Sequence, residues 1–529
     1  MPNYTNAPYA TRHSTQGMVC SIDHLASGAG IEVMRQGGNA ADAAVAASAV
    51  LAVTCQHMCG MGGDLWALIH FEDGQPPLAL NASGRAGSGA NPDTLRRDGL
   101  LEMPFHNDPR SIPVPGCVDG WVAINTKLGN LNLAKVLAPA ISLAFNGFPI
   151  SSQCATACRL LKNVANTDDY MRHGLPSTGD LITRSGVART LEAIAENGRR
   201  AFYEGQVGKS LIEFGMGEYS EDDLVRNQSD WVNPISIEAW GHRVWTVPPN
   251  SQGYLTLAAA WISSQLDLPE DPDNPLYTHL LSEAVRQSGY DRPDELHEFA
   301  DPEKLLSLER LNPRVAAISK RSVSDTASGI NNGDTIYLNA VDSNRMAVSL
   351  IQSNASGWGA LQFLPESKIS LHNRGLGFST QKGHKAEYGP GRRPPHTLAP
   401  ALVQRLDGSI RAVLGTMGGD SQPQIVLQLL ARLLHSKQEP GDAIAAARWR
   451  FAGNNRSGFH TWANASDLVL QLEGHNTVDA SALQRLGHDI EYLGEYDSAF
   501  GHAHLIEVQE NILAGAADPR ALAGGVAGY

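Results

Sequence analysis

The chain has 529 residues and a formal net charge of −14, and 42% of its residues are hydrophobic while 18% are charged. This length predicts two to four domains or one large layered unit, and the acidity disfavours binding to nucleic acid or to anionic lipid. The apolar content excludes a disordered chain and a coiled coil.

Cysteine spacing and the N-terminal segment give expectations about the compartment. No CxxC pair and no histidine lies at zinc-finger spacing from a cysteine, so we expect buried, small apolar side chains at these positions. The N-terminus has no basic start followed by an apolar run, as a signal peptide would have. No window of 18 residues is apolar enough to span a membrane. We therefore expect a cytoplasmic protein. The six cysteines are Cys20, Cys55, Cys59, Cys117, Cys154 and Cys158.

The first elements of the chain are predicted to be strand, helix, helix and strand. Gly17–Ile22 is a short apolar strand, and Leu25–Gln36 is an amphipathic helix that ends at a glycine pair. Asn39 is expected to cap a second helix over Ala40–Val53, whose small side chains predict close packing against a neighbouring layer. Leu65–Phe71 is then a buried strand.

The middle of the chain is predicted to be rich in helices. Amphipathic or apolar periodicity indicates helices over Ala134–Asn146, Thr190–Asn197 and Tyr254–Leu266. The segment Ser322–Asp334 is polar and contains glycine, so we expect it to be exposed and poorly ordered.

The pattern changes to paired strands in the last third. Strands are predicted over Thr335–Asp342, Met346–Ser353, Ser409–Gly415 and His502–Gln509, with a helix over Gln424–Ser436. Such an alternation favours helices outside and antiparallel strands inside. Periodicity alone leaves several α+β and α/β folds open.

The junction before Thr335 is the most informative local feature. A polar segment ends there at the first residue of a buried strand, and that residue carries a hydroxyl. Cleavage of the preceding bond would give Thr335 a free α-amino group, whose unperturbed pKa is about 7.7–8.0. A neutral amine can act as the base for the hydroxyl of the same residue. The junction is therefore a candidate nucleophile, although a threonine that opens a strand after a loop is usually structural.

Other common active-site motifs are missing from the sequence. It contains no GxSxG, HExxH or GxxxxGK[ST] motif, and the glycines of Gly60–Asp64 precede a strand instead of following one, so they do not form a dinucleotide-binding turn. Asp64 is either a ligand or a turn residue, and a turn is favoured. No cluster of ligand-type residues predicts a metal, and the chemistry at Thr335 requires no cofactor.

Seven stretches together resemble the gamma-glutamyltranspeptidase family of N-terminal-nucleophile hydrolases. They occur in the order of the family's own motifs and cover nearly the whole chain. The stretches are Gly37-Gly-Asn-Ala-Ala-Asp-Ala-Ala-Val-Ala, Gly60-Met-Gly-Gly-Asp, Ser111-Ile-Pro-Val-Pro-Gly-Cys-Val-Asp-Gly-Trp, Thr335-Ile-Tyr-Leu-Asn-Ala-Val-Asp, Pro394-Pro-His-Thr-Leu-Ala-Pro, Gly415-Thr-Met-Gly-Gly-Asp and the C-terminal Ala517-Asp-Pro-Arg to Tyr529.

The resemblance implies an α+β fold, a four-layer αββα sandwich formed by two pieces of one autocleaved precursor. The cut would fall between Asp334 and Thr335 and would give a large piece, residues 1–334, and a small piece, residues 335–529. The pieces are expected to stay associated because their strands share one sheet, and a homo-oligomer of this unit is left open.

The resemblance also implies roles for individual residues. Thr335 matches the nucleophile, and Ser353 falls where the family has a second hydroxyl near it. Gly418 and Gly419 match the glycine pair whose N–H groups form the oxyanion hole, a role that suits glycine because no Cβ blocks the reacting centre. Asp420 follows this pair and is a candidate for substrate binding.

Departures from the family pattern concern the substrate. Ser83 occupies the position of the arginine that holds the glutamyl carboxylate, and His396 and Thr397 replace the paired serines that help to bind it. In the family, another segment supplies an aspartate that binds the glutamyl amino group. The corresponding segment of this chain begins with Arg374 and contains no carboxylate. Because a buried ammonium without a carboxylate partner is costly, the pocket is predicted to be unsuited to glutathione.

The sequence is most similar to the branch of the family that contains oxamate amidohydrolase and cephalosporin acylase. The leading interpretation is an autoprocessing amidohydrolase that acts on a small carboxylate-bearing amide, with oxamate as the best single substrate. Arg85 and His396 are the predicted anion contacts, and a structural ion pair is the alternative role of Arg85. A glutathione hydrolase or gamma-glutamyltransferase is the second interpretation. The third is a binding or scaffold protein whose chain is never cut.

Overall fold

Two seven-stranded sheets form the centre of the protein in a computed structural model, which describes residues 11–324, 335–452 and 468–529. The helices are α1 (His24–Arg35), α2 (Ala40–Thr54), α3 (Pro92–Arg97), α4 (Cys117–Leu128), α5 (Leu133–Asn146), α6 (Ser152–Ala157), α7 (Asp168–Met171), α8 (Ser185–Asn197), α9 (Arg199–Tyr203), α10 (Gln206–Gly215), α11 (Glu221–Val225), α12 (Gly253–Ser264), α13 (Pro275–Gly289), α14 (Arg292–Glu295), α15 (Pro302–Leu305), α16 (Leu308–Ala316), α17 (Gln422–Leu430), α18 (Pro440–Ala445) and α19 (Ala480–Arg485). The strands are β1 (Arg12–Ser14), β2 (Met18–Ser21), β3 (Asp64–His70), β4 (Leu78–Ala82), β5 (Phe148–Pro149), β6 (Leu181–Ile182), β7 (Asp230–Val232), β8 (Ile235–Ala239), β9 (His242–Thr246), β10 (Ile336–Val341), β11 (Ala347–Ser353), β12 (Gln362–Phe363), β13 (Ser370–Leu371), β14 (Ala401–Arg405), β15 (Ile410–Thr416), β16 (Trp449–Ala452), β17 (Val469–Leu472), β18 (Ile490–Tyr492), β19 (Ala503–Val508), β20 (Leu513–Ala517) and β21 (Gly525–Gly528).

Every neighbouring pair of strands in the two large sheets is antiparallel. One sheet has the order β1-β20-β19-β15-β14-β9-β8, and the other has the order β21-β2-β10-β11-β3-β4-β7. The two sheets pack face to face through apolar side chains such as Trp66, Tyr337, Ile351, Leu402 and Val413. Strands covered on both faces have no solvated side, which explains why β10 and β11 are buried along their whole length.

Helices cover both outer faces of this sandwich. On one side, α2 packs with α1, α4 and α5 against the sheet that contains β10, and all fifteen residues of α2 are buried. On the other side, α12 and α17 pack against the sheet that contains β15, and α13 packs on these two helices. The order of layers is helix, sheet, sheet, helix, which confirms the predicted αββα architecture.

The portions of the chain before and after the predicted cut contribute to the same sheets. In the sheet that contains β10, strands β2, β3, β4 and β7 come from the N-terminal portion, and β10, β11 and β21 come from the C-terminal portion. The other sheet combines β1, β8 and β9 with β14, β15, β19 and β20. Separating the portions would break central strand pairs, which supports stable association of two cleaved pieces.

Most predicted elements lie within a few residues of their observed bounds. Asn39 caps α2 as expected, and a capping box with Asp42 completes this N-terminus. Two helices differ in length from their predicted ranges. Helix α8 begins at Ser185 instead of Thr190. The helix predicted over Gln424–Ser436 begins at Gln422 and changes to a turn of π-helix over Ala431–His435. Of the segment predicted to be poorly ordered, residues 325–334 lie outside the described residues.

Strand register brings three polar residues to one end of the β10 sheet. Ile336 pairs with Gln352, so Thr335 stands opposite Ser353, and Ser353 in turn pairs with Asp64 on the next strand. The three side chains therefore form a row across three adjacent strand ends. All three residues are fully buried.

In the described ranges, no helix combines the length and the apolar character that crossing a membrane requires. The six cysteines are buried and unpaired by disulfides, as the sequence predicts.

Candidate active site

Thr335 and Ser353 are joined by a hydrogen bond at the centre of the site. Their hydroxyl oxygens are 3.0 Å apart. Thr335 precedes β10, and Ser353 ends β11, so the backbone ladder between these strands fixes the distance between the two side chains. The structure thus places the second hydroxyl named by sequence analysis directly against the predicted nucleophile.

Ser353 Oγ also accepts two N–H groups. The backbone N–H of Ala355 donates to it at 2.8 Å, and Nη2 of Arg374 donates at 3.1 Å. A hydroxyl has one proton and two acceptor positions, so Ser353 can also act as a donor. Thr335 Oγ1 lies within reach of that proton. This arrangement suits a hydroxyl that stabilises a developing alkoxide on Thr335.

A chain of hydrogen bonds connects this row to the opposite sheet. Arg374 Nη1 donates to Thr397 Oγ1 at 3.0 Å. Gln252 Nε2 donates to the backbone oxygens of both Thr397 and Gly419, each at 2.9 Å. The Thr335–Ser353 pair is therefore linked through Arg374 and Thr397 to the glycine turn that follows β15.

Gly418 and Gly419 form that turn, and both have positive φ angles. The φ angle is 135° at Gly418 and 55° at Gly419, conformations that side-chain-bearing residues rarely adopt. The turn leads through one short 3₁₀ segment into the N-terminus of α17. Backbone N–H groups near a helix N-terminus favour negative charge, so the turn has the local features of an oxyanion site.

Asp64 is the acceptor of a buried network beside the row. Its Oδ2 lies 2.9 Å from His396 Nε2 and 3.5 Å from His372 Nδ1, and its Oδ1 accepts the N–H of Gly84 at 2.9 Å. Burial alone would raise the pKa of Asp64, but the interactions with His372 and His396 outweigh it and hold the pKa well below its usual range. Asp64 is therefore an anion at neutral pH.

His396 is held in a neutral form by the same surroundings. Burial lowers its pKa to about 3, with repulsion from Arg374 as the next cause and attraction to Asp64 opposing both. Its Nδ1 accepts the N–H of Leu398 at 3.2 Å while Nε2 faces Asp64. Both ring nitrogens thus have protein partners, and the positive charge closest to Ser353 is that of Arg374, not that of His396.

Arg85, the other predicted anion contact, is bound to two carboxylates. Its Nη1 donates to Glu298 at 2.8 Å and its Nη2 donates to Asp230 at 3.0 Å. Asp230 also pairs with Arg393 at 2.7 Å. These contacts match the structural ion pair that sequence analysis gives as the alternative role of Arg85.

Asp420 faces a cation. Its Oδ1 accepts Nη2 of Arg292 at 2.9 Å, and both side chains are buried. Arg292 and Thr397 also belong to the wall of a cavity of about 270 Å³, together with Leu376, Gly377 and Phe378. Because Thr397 contacts Arg374 and also lines this cavity, the cavity is the candidate pocket for a small substrate.

Two residues of the candidate site, Asp64 and Arg374, were not among the site residues predicted from the sequence, although a ligand role was left open for Asp64. Asp64 was expected to be a turn residue, but it opens β3, whose other residues are buried as well. A charged residue directly before the apolar run Leu65–Ile69 was the available signal. For Arg374 the sequence offered no positive signal, because its partners Ser353 and Thr397 lie 21 and 23 residues away in separate segments.

One group within the described ranges could bring three metal-ligand atoms together: His279, Glu283 and His488. These atoms already have protein partners. His279 Nδ1 and His488 Nε2 share a hydrogen bond of 2.8 Å, while Glu283 accepts Arg286 at 3.1 Å and Ser324 Oγ at 2.5 Å. The group is therefore explained as a buried hydrogen-bond network.

Comparisons with known proteins identify the family of the chain. The family model described as gamma-glutamyltranspeptidase matches residues 26–529. A glutathione hydrolase-like YwrD proenzyme from Bacillus subtilis is 35% identical, with 96% of this chain and 97% of the relative covered. An oxamate amidohydrolase proenzyme from Klebsiella pneumoniae is 33% identical, with 98% of this chain and 100% of the relative covered.

A solved structure gives the same result for the fold. The crystal structure of cephalosporin acylase from Bacillus halodurans superposes with a TM-score of 0.89 at 29% identity and covers 100% of this chain and 99% of that chain. The chain belongs to the gamma-glutamyltranspeptidase family of N-terminal-nucleophile hydrolases.

Proposed function

We propose that this family member is made as a precursor, cuts itself between Asp334 and Thr335, and hydrolyses a small carboxylate-bearing amide. The hydrogen bond between Thr335 Oγ1 and Ser353 Oγ is the observation that carries the proposal. Asp334 lies outside the described residues, so the cut site rests on the family motif and on the position of Thr335. The two relatives, both named as proenzymes, support processing.

Processing starts with attack of Thr335 Oγ1 on the carbonyl carbon of Asp334. The bond from that carbon to the Thr335 nitrogen breaks as an ester to Oγ1 forms, and the proton that leaves Oγ1 passes to the nitrogen, which becomes an α-amine. Water then hydrolyses the ester, which leaves a carboxylate on Asp334 and regenerates the Thr335 hydroxyl. Ser353 donates a hydrogen bond to Oγ1 and so stabilises negative charge on the attacking atom.

Turnover uses the same hydroxyl with the new α-amine as base. Oγ1 attacks the amide carbon of the substrate while the amine takes its proton, and the N–H groups of Gly418 and Gly419 stabilise the tetrahedral oxyanion. The proton passes to the leaving nitrogen as the C–N bond breaks. Water attacks the acyl-enzyme by the same path and releases the acid.

Oxamate is the substrate that we propose first. Its hydrolysis consumes one water and gives oxalate and ammonium. The oxamate amidohydrolase relative supports this choice, and so does the buried cation Arg374 beside Ser353. The residues proposed to bind substrate are Arg374 and Thr397, while His396, which contacts Asp64, and Asp420, which contacts Arg292, are proposed as positioning residues.

Hydrolysis of glutathione is the second candidate, because a relative is named glutathione hydrolase-like. The assay that separates the two candidates uses purified, processed enzyme with oxamate, glutathione and a glutaryl amide. We expect oxamate to give the largest kcat/KM. Preference for glutathione or another gamma-glutamyl compound would overturn the first proposal in favour of the second.

A further inference from the structure

Gln252 is a fully buried amide that connects the loop before α12 to the turn after β15. Its Nε2 donates to the backbone oxygens of Thr397 and Gly419, each at 2.9 Å. An amide nitrogen carries two protons, so these two bonds use both of them. Gln252 lies before the predicted cut, whereas Thr397 and Gly419 lie after it. The side chain therefore ties the glycine turn of the C-terminal portion to the N-terminal portion.

The turn that Gln252 contacts has little stiffness of its own. Gly418 and Gly419 both have positive φ angles, and glycine has the widest backbone freedom of all residues. Within the turn, the oxygen of Gly419 accepts the N–H of Gln422. The bond from Gln252 comes from a separate segment and holds the same oxygen. Fixing this oxygen from two sides restricts rotation of a residue whose N–H is a proposed oxyanion donor.

The loop that carries Gln252 is attached through its backbone, so the side chain extends from a fixed position. The N–H of Gln252 donates to the oxygen of His396 at 2.9 Å, and the N–H of His396 donates to the oxygen of Asn250 at 2.8 Å. Thr397 directly follows His396 and is positioned by these bonds. Loss of the Gln252 amide should therefore disturb Gly419 more than Thr397.

Burial prevents solvent from replacing this amide. Gln252 is fully buried, and Gly419 is buried as well. A buried acceptor that loses its donor is costly to leave unpaired, so without the amide the turn would shift towards a new partner. The N–H groups of the turn would shift with it. Gln252 thus influences the oxyanion donors from a position behind the turn.

We propose that Gln252 is a positioning residue of the oxyanion turn, which it holds so that the N–H groups of Gly418 and Gly419 face the tetrahedral intermediate. Donors that are fixed before the reaction stabilise the developing charge without having to reorganise. A misplacement of about 1 Å in such a geometry costs about 10²-fold in rate. This inference deepens the proposed function and rests on it, because the turn binds an oxyanion only if Thr335 is acylated.

The test compares processed Gln252→Met enzyme with wild type on the amide that wild type hydrolyses best among oxamate, glutathione and a glutaryl amide. Methionine is unbranched like glutamine but has no N–H to donate. We expect kcat to fall by about 10- to 100-fold and KM to change by less than about threefold, because the turn acts on the transition state. Thermal unfolding measures the loss of stability separately.

Two further variants separate positioning from a structural role. Gln252→Glu keeps the shape of the side chain, but only its protonated form has a hydrogen to donate. The ratio of its kcat to that of wild type should therefore rise as the pH is lowered, whereas the ratio for Gln252→Met should stay constant. Gly419→Ala should lower kcat by a smaller factor in the Gln252→Met background than in wild type, because both changes disturb the same turn.

Gln428 supplies a matched control farther along α17. It is buried, and its Nε2 also donates to two backbone oxygens, those of Gln424 at 3.1 Å and Trp449 at 2.8 Å. Gln428→Met should lower stability and keep the wild-type kcat. An equal loss of kcat in Gln428→Met would show that the effect follows from any buried methionine at such a position, and would overturn the inference.

The remaining outcomes distinguish this inference from the proposed function. An unchanged kcat in Gln252→Met, or a rise in KM alone, would overturn the role of Gln252 and leave the amidohydrolase activity intact. If only Gln252→Met is not processed, Gln252→Glu carries the test. Failure of both variants to be processed would overturn the inference, because the side chain would then be required for the fold or for the cut. A processed wild-type enzyme that hydrolyses none of the three amides would overturn both.

Discussion

Asp64 Oδ2 and His396 Nε2 lie 2.9 Å apart although 332 positions separate the two residues in the chain. Both are fully buried, and burial keeps the imidazole neutral while Asp64 remains an anion. The pair stands behind Arg374, whose Nε is 3.9 Å from Asp64 Oδ2. Arg374 is therefore a second buried cation of the candidate site beside Arg292, and Asp64 lies against it.

Autoprocessing is the first property to test. Wild-type protein is expected to give a small piece whose N-terminal sequence begins TIYLNAVD, because Thr335 supplies the attacking hydroxyl. Thr335→Ala should remain a single chain near 56.6 kDa on a denaturing gel and should show no amidase activity. A different N-terminus, or cleavage of Thr335→Ala, would remove the proposed mechanism.

Ser353→Ala is expected to slow both processing and turnover by about 10-fold. The variant removes one hydrogen bond to the nucleophile, and such a bond contributes about 0.5–1.5 kcal/mol. Time courses of cleavage on a gel and of ammonia release from oxamate measure the two rates. Unchanged rates in both assays would show that Ser353 only supports the fold.

Gly419→Ala is expected to lower kcat by about 10²–10³ with little effect on KM, because it disturbs a donor to the oxyanion. Alanine at the φ angle of 55° also costs about 1–2 kcal/mol of stability. Gly198, with a φ angle of 63° and open space at its Cβ, provides the matched control. Gly198→Ala should lose similar stability and keep its kcat; a KM effect confined to Gly419→Ala would instead indicate ground-state binding.

Arg85→Ala is expected to reduce stability without changing substrate preference. It breaks an ion pair with the half-buried Glu298 and another with the exposed Asp230, so the loss should be about 1–2 kcal/mol. Thermal unfolding measures the first effect, and the ratio of kcat/KM for oxamate and for oxamide, its neutral carboxamide, measures the second. A selective loss with oxamate would show that Arg85 contacts the substrate after all.

Stability is expected to fall as the pH is lowered from about 6.5 towards 4. In the folded state, burial lowers the pKa of several histidines far below the value of 6.5 that holds in the unfolded chain, so only the unfolded state takes up protons in this range. For each such histidine, the free energy of unfolding falls by up to about 1.4 kcal/mol for each pH unit. The histidines are His57, His396, His488 and His504, with pKa values of about 3, and His502, with a pKa of about 4.

The pH effect can be measured as the melting temperature of the uncleaved Thr335→Ala chain at several pH values. His57 is a suitable probe, because its ring nitrogens make no hydrogen bond within the described residues. His57→Gln should make the fall in stability shallower by the equivalent of one proton. An equally steep fall would show that the imidazole of His57 does not remain neutral in the folded state.

The sequence predicted the features that depend on local patterns. Continuous apolar runs marked β10 and β11 because strands covered on both faces need such residues, and Asn39 marked the start of α2 because a helix N-terminus needs a side-chain acceptor. The hydroxyl at the start of β10, combined with the family motifs, led to Thr335.

Only the tertiary structure decided which side chains meet. Strand register brought Asp64 beside Ser353, and the approach of separate segments placed Arg374 on Ser353 and gave Arg85 its two carboxylates. A charged residue has the same local signal whether it binds a substrate, positions another side chain or forms an ion pair. Its role depends on partners distant in the chain, and those partners are fixed by how the layers pack.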